Sequence, residues 1–238
     1  MPLAWSRAAT KCISLVPGLA KQVSTPQALR VSTRLLAPFM AVDSHTGKGP
    51  GGAAREHNGP AFSSGELKML ASGSAWRILE AEHSRLRQLL AAIGSVLDDD
   101  EWEHPGPQLK VLRRRIQDYQ DFESMTHRPK GTVLLGSVRG RSAQADQLLD
   151  VLDHDSRQCE QLLAKAVGLL ETIEQGGDAD RGEVEALLRQ HCKLMLGHLD
   201  QEDTALRSYT SKLLTSEEWS SVASSISRQV QKVKGKGR

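Results

Sequence analysis

The sequence predicts an all-α protein, an up-down-up-down bundle of four long helices followed by a short C-terminal helix. Four long stretches repeat apolar residues at three- and four-residue spacing, the period of a helix with one buried face. Aromatic residues make up only 4% of the 238 residues, which favours helix packing over a β-sandwich. No stretch alternates apolar and polar residues as a strand would. Short loops between long amphipathic helices are typical of a bundle.

The N-terminal region is predicted to lie outside the bundle. Residues 1–42 contain no acidic residue but carry Arg7, Lys11, Lys21, Arg30 and Arg34. Such a composition is typical of an organellar transit peptide, although an upstream extension with no folded role remains the alternative. Residues 43–72 are rich in glycine, serine and proline, which indicates a disordered linker. The predicted organisation is a disordered extension or targeting segment over 1–72, a bundle over 73–233 and a basic tail over 234–238.

The first helix of the bundle is predicted to run from Ala75 to the acidic loop at 98–107. Its apolar stripe alternates steps of four and three residues and consists of Leu79, Leu86, Leu90, Ile93 and Leu97. His83 occupies one position of the same stripe, so its imidazole is predicted to face the bundle interior.

The second helix is predicted over 108–126, with His127 at its end. Pro129 and Gly131 follow, and these two residue types should kink or interrupt a helix. Thr132 to Val138 is then interpreted as a short apolar connection to the third helix.

The remaining helices are delimited by capping residues. Ser142 is a candidate N-cap of the third helix, and Asp180 with Glu183 resembles a capping box that opens the fourth. Thr215 with Glu218 forms a better capping box for a fifth helix over 216–233.

The fourth helix carries three polar residues on its apolar stripe: His191, His198 and Glu202. A histidine and a carboxylate four residues apart face the same way, so His198 and Glu202 can reach one metal ion. A buried carboxylate also requires a partner. His191 lies two turns earlier, about 10.5 Å along the axis, which is too far to share that ion.

Composition excludes several classes of function. A net charge of +2 does not create the strong positive field that is typical of nucleic-acid-binding proteins. No apolar run approaches the ~20 residues that are needed to span a membrane. Cys12, Cys159 and Cys192 are odd in number and widely spaced, which fits a reducing compartment. The expected location is the cytoplasm, or an organelle if 1–42 is a transit peptide. No nucleophile–base pair or phosphate-binding loop is found, so no enzyme is predicted.

Several segments together resemble the hemerythrin-like (HHE) domain family over about residues 75–225. These segments are LEAEH (79–83), DYQDFESMTHRPKG (118–131), RGRSAQADQLLDVLD (139–153), HLDQEDTAL (198–206) and LTSEEW (214–219). The resemblance implies a four-helix bundle whose inner histidines and two carboxylates hold a non-haem diiron centre. It also implies binding of dioxygen or nitric oxide, oxygen or redox sensing, or iron handling.

The resemblance implies a ligand set that this chain retains only in part. His83, His127, His198 and Glu202 match the family's ligands and are the predicted metal-binding residues. Two expected ligands are replaced, because Gly131 stands at the second glutamate position and Ser156 at the helix-3 histidine position. His154 lies about 200° round the helix from Ser156 and is not a substitute.

Two hypotheses of different class follow, with a third behind them. One iron ion, or none, is expected in place of a diiron pair. The first hypothesis is a metal-binding sensor, carrier or iron-handling module without turnover of its own, with dioxygen or nitric oxide as a further ligand. The second is a degenerate bundle without metal that acts as an interaction or structural module. The third is an enzyme that uses a mononuclear metal for peroxide or oxygen chemistry.

Overall fold

The computed structural model describes residues 63–104 and 106–236, and within these ranges the chain is helical with no strand. The predicted all-α class is therefore confirmed. Two π-helical turns, Glu123–His127 and Glu202–Leu206, and a 3₁₀ helix, Asp100–Glu103, accompany the α-helices. The α-helices are α1 (Ser64–Leu97), α2 (Pro107–Phe122), α3 (Arg128–Val138), α4 (Ala143–Glu174), α5 (Arg181–Gln201), α6 (Arg207–Leu213) and α7 (Ser216–Lys236). The predicted targeting segment over 1–42 lies outside the described residues, as does the linker up to residue 62.

The first helix begins earlier than predicted, because Ser63 and Glu66 form a capping box. The Ser63 hydroxyl accepts a hydrogen bond from the Glu66 backbone N–H at 3.3 Å, and the Glu66 carboxylate accepts one from the Ser63 N–H at 2.8 Å. These two bonds satisfy amide groups that a helix start leaves free. Residues 64–72 therefore extend α1, where a linker was predicted. The last helix likewise continues to Lys236, beyond the predicted end at 233.

A kink or an interruption was predicted at Pro129 and Gly131, and the predicted interruption is wrong. The π turn joins α2 directly to α3, and the Arg128 backbone N–H donates to the Glu123 carbonyl five residues back. A proline ring crowds the carbonyl four residues before it and supplies no N–H. The wider π turn accommodates Pro129 in the first turn of α3, so the helix continues through the segment that was predicted as a connection.

Buried apolar residues form two separate clusters, here called the first core and the second core. The first core includes Leu86, Leu90, Ile93, Trp102, Leu112, Ile116, Tyr119, Leu163, Leu170 and Leu188. The second core includes Trp76, Leu79, Leu134, Val138, Leu149, Leu152, Leu206, Trp219 and Ile226. Helix α7 packs against α1 and α3 and contributes residues to the second core.

A polar layer lies between the two cores. Along α1 the second core ends at Leu79 and the first core begins at Leu86. Along α5 and the turn that follows, the first core ends at Leu199 and the second begins at Leu206. The buried polar residues of this layer are Glu82, His83, His127, Lys130, His198 and Glu202.

None of the described helices is long and apolar enough to cross a membrane.

Candidate metal centre

His83 is held in one orientation by an acidic partner on the second π turn. Its Nδ1 lies 2.6 Å from Asp203 Oδ1, and the second oxygen of Asp203 accepts a hydrogen bond from Arg87 at 2.8 Å. A carboxylate can only accept, so Nδ1 carries the proton and donates. Nε2 lies 3.0 Å from Glu202 Oε2 without the alignment of a hydrogen bond. An imidazole fixed by a carboxylate on one nitrogen presents the other as a metal ligand.

The Glu202 carboxylate is at the centre of the polar layer. Glu202 is the first residue of the second π turn and is only 4% exposed. Besides His83, it is approached by His127 Nε2, 3.6 Å from Oε2, and by His198 Nε2, 3.4 Å from Oε1. Burial alone would raise its pKa, but the close approach of the His198 and His83 rings and the charges of the imidazoles hold the pKa well below its usual range. Glu202 is therefore a carboxylate anion.

His127 faces the same carboxylate from the first π turn. Its ring meets the ring of His83 edge to face, with 4.9 Å between centroids. Its Nδ1 lies 3.7 Å from Glu82 Oε2, and neither atom has a hydrogen-bond partner among the described residues. π turns are frequent at functional sites because they displace a side chain from the regular helical position, and here both π turns carry a residue of the polar layer.

A buried ion pair between Glu82 and Lys130 borders these histidines. Lys130 is 1% exposed, and its Nζ lies 2.7 Å from Glu82 Oε1. The ammonium group also donates to the Thr126 carbonyl. Sequence reasoning missed both residues. Lys130 lies three positions after His127 and so on the same side of the helix, but lysine side chains are mostly exposed, so this spacing alone does not indicate burial.

The atoms of this layer fit a divalent cation. One ligand atom each from His83, His127 and Glu202 can be chosen so that all lie within 4.8 Å of one another. His83 Nε2, His127 Nδ1 and His198 Nδ1 are buried without a hydrogen-bond partner within the described chain. Unpaired buried nitrogens are costly, and imidazole with carboxylate is a donor set for zinc or iron.

The structure brings the four predicted ligands together to different degrees. His83, His127 and Glu202 form the compact group, and His198 lies beside Glu202 outside that group. Sequence reasoning missed Asp203. The one feature of the sequence that points to it is its position directly after the predicted ligand Glu202.

The two positions that depart from the family pattern both line this site. A cavity of about 190 Å³ is lined by Gly131 and Ser156 together with His127, His198 and Glu202. A Cβ atom at Gly131 would lie 4.0 Å from His127 Nε2, so a side chain there would start beside the ligand group. His154 is exposed, as expected from its position on the helix.

Comparison with known proteins agrees with this geometry. The family model of the hemerythrin HHE cation binding domain matches residues 74–209, more than half of the chain. No curated protein and no solved structure matches significantly. The matched range contains the complete polar layer, and the chain belongs to the hemerythrin HHE cation-binding domain family.

Proposed function

We propose that the polar layer binds one divalent metal ion, non-haem iron, and that the protein acts as a sensor, carrier or iron-handling module without turnover of its own. The observation that carries the proposal is the Glu202 carboxylate, buried and approached by the imidazoles of His83, His127 and His198. Three imidazoles and one carboxylate are donors that can hold one such ion.

A single ion is favoured over a pair by the charges of the layer. Two adjacent cations need bridging oxygens, and Gly131 has no side chain to provide one. Glu82, the other buried carboxylate of the layer, is already paired with the Lys130 ammonium group at 2.7 Å. A second cation beside Lys130 would meet a like charge in a poorly solvated space.

The chain's own residues orient the ligands before any ion arrives. Asp203 keeps the proton of His83 on Nδ1, and Arg87 holds Asp203 in place. Bound iron would supply open coordination positions for dioxygen or nitric oxide. The adjacent cavity of about 190 Å³ offers room for a diatomic molecule.

A metal-free interaction module is the second candidate, and the ion pairs within the polar layer favour it. Lys130 neutralises Glu82, and a protonated His83 would neutralise Glu202. The layer could in that case be stable without a metal. Metal binding separates the two candidates.

Titration of the metal-free protein with ferrous iron under argon tests the proposal. We expect one binding site per chain, lost in His83→Ala and retained in His104→Ala, because His104 is exposed and lies outside the polar layer. Absence of binding to the unaltered protein would favour the interaction module.

Metal affinity should fall as the pH is lowered. Burial lowers the pKa of His83, but the close Glu202 carboxylate and the hydrogen-bonded Asp203 carboxylate outweigh burial and raise it above its usual value. Protons therefore compete with the metal at Nε2 already above about pH 6.5, the ordinary histidine value. We expect the dissociation constant for zinc, measured by calorimetry, to increase steadily from about pH 8 to about pH 6. A constant affinity over that range would exclude His83 as a ligand.

Restoring the two replaced ligands should increase the capacity for metal. The double variant Gly131→Glu and Ser156→His adds a carboxylate and an imidazole to the wall of the same cavity. We expect it to bind more than one iron per chain, measured by elemental analysis after anaerobic loading. The matched control Gly131→Ala with Ser156→Ala should keep the unaltered stoichiometry, and an unchanged count in the double variant would contradict the alignment of these two positions.

A further inference from the structure

A second cavity of about 290 Å³ lies in the first core, between the end of α2, α4 and α5. Its inner wall is largely apolar, with the side chains of Leu163 and Met195 and the ring of Tyr119. His191 also lines it and is the one imidazole among the lining residues. This volume is at the lower end of the range for small-molecule sites.

The His191 side chain, which lines this wall, carries an unpaired acceptor. Nδ1 lies 3.1 Å from the Cys159 carbonyl. Because a carbonyl only accepts, Nδ1 carries the proton and Nε2 is a free lone pair. His191 is 1% exposed, and Nε2 has no hydrogen-bond partner in the described part of the chain. The Tyr119 ring meets the imidazole edge to face, with 5.1 Å between centroids.

The imidazole of His191 is neutral at physiological pH. Burial lowers its pKa to about 4, and the hydrogen bond to Cys159 offsets only part of this effect. The acceptor at Nε2 is therefore available without competition from protons. An unpaired acceptor in an apolar wall is costly, and a ligand with one donor would satisfy it.

The charged groups at the mouth of the cavity are paired with one another. Arg128 binds Glu123 at 2.9 Å and Glu160 at 2.5 Å. One guanidinium faces two carboxylates there, so the mouth has an excess of one negative charge and disfavours anions. The apolar interior would exclude a charged ligand of either sign.

We propose that this cavity binds a small neutral molecule with an apolar body and one hydrogen-bond donor, about the size of phenol. The donor would bond to His191 Nε2, and the apolar body would fill the space beside Leu163 and Met195. None of the predicted metal ligands lines this cavity.

Calorimetric titration of the metal-free full chain tests this inference, with phenol and toluene as probes of similar size. We expect saturable binding of phenol that is about tenfold tighter than that of toluene, because toluene leaves the acceptor unpaired. In His191→Asn the shorter amide still donates to the Cys159 carbonyl but cannot replace Nε2. We expect phenol to bind to this variant about tenfold more weakly, and toluene to bind as before.

A second pair of variants tests the location without altering the core. Ala164 is exposed and lines the cavity, whereas Gln161 on the same helix is exposed and does not line it. Ala164→Trp should abolish binding of both probes, and Gln161→Trp should leave both unchanged, with equal helical circular dichroism. The inference is overturned if phenol does not saturate, if phenol and toluene bind equally, or if Ala164→Trp binds phenol normally.

Discussion

Replacing Glu202 by glutamine should weaken binding of ferrous iron by at least about 100-fold, the upper end of the effect of residues that only support a ligand. The change preserves the size of the side chain and removes its charge. All three imidazoles of the proposed site approach this carboxylate. Glu202 is therefore the one proposed ligand that is adjacent to all of the others. The dissociation constant from anaerobic calorimetry is the measurement.

The metal-free variant provides an independent readout. The close Glu202 carboxylate raises the pKa of His83, so Glu202→Gln should lower that pKa in a histidine titration by nuclear magnetic resonance. Glu217→Gln is the matched control, since Glu217 is an exposed residue of α7 and its change should affect neither quantity. Unaltered iron affinity in Glu202→Gln would show that Glu202 is not a metal ligand.

Replacing Lys130 by methionine should destabilise the metal-free protein by about 3–5 kcal/mol, the usual cost of leaving one charge of a buried pair without its partner. Lys130 is 1% exposed, and the variant would leave the buried Glu82 side chain without its ion-pair partner. The free energy of unfolding from denaturant titration in the presence of a chelator is the measurement.

The double variant Glu82→Leu with Lys130→Met should recover most of that loss. Replacing both members of a buried ion pair by apolar residues is often neutral or stabilising. We therefore expect a coupling energy of about 3 kcal/mol between the two positions in a double-mutant cycle. If Lys130→Met alone costs less than about 1 kcal/mol, the pair is better hydrated than its burial indicates.

The helices were predictable because their apolar stripes repeat with the helical period over many residues. Ser142 caps α4 as predicted, and its hydroxyl accepts a hydrogen bond from the Ala145 N–H at 3.1 Å. The start of α1 does not follow from composition, because residues 43–72 are rich in glycine and serine while the Ser63–Glu66 capping box opens the helix within this stretch. Composition describes a segment on average, whereas one cap can determine where a helix begins.

The proposed site was predictable where it depends on spacing within a helix. His198 and Glu202 are four residues apart, and a histidine in the stripe of α1 must face the same interior. The role of Asp203 was not predictable in this way, because adjacent residues on a helix point about 100° apart and Asp203 lies off the stripe that contains Glu202. In the structure Glu202 and Asp203 approach the two nitrogens of the same His83 ring.

The π turns and the buried lysine could not be derived from local patterns. A proline within a helical stretch predicts a kink or an end, and the π turn before Pro129 is a third solution that depends on the surrounding helices. The burial of Lys130 likewise depends on Glu82 of a different helix. Such pairings are set by tertiary packing, which the sequence of one helix does not contain.

The number of metal ions per chain is the most direct test of the central claim. The full-length protein would be loaded with ferrous iron under argon, separated from free metal by gel filtration, exposed to air and measured by elemental analysis and ultraviolet absorption. One iron per chain, without the near-ultraviolet bands of an oxo-bridged pair, is the predicted result. Two irons with those bands, or no retained iron, would contradict a site built from one carboxylate and three histidines.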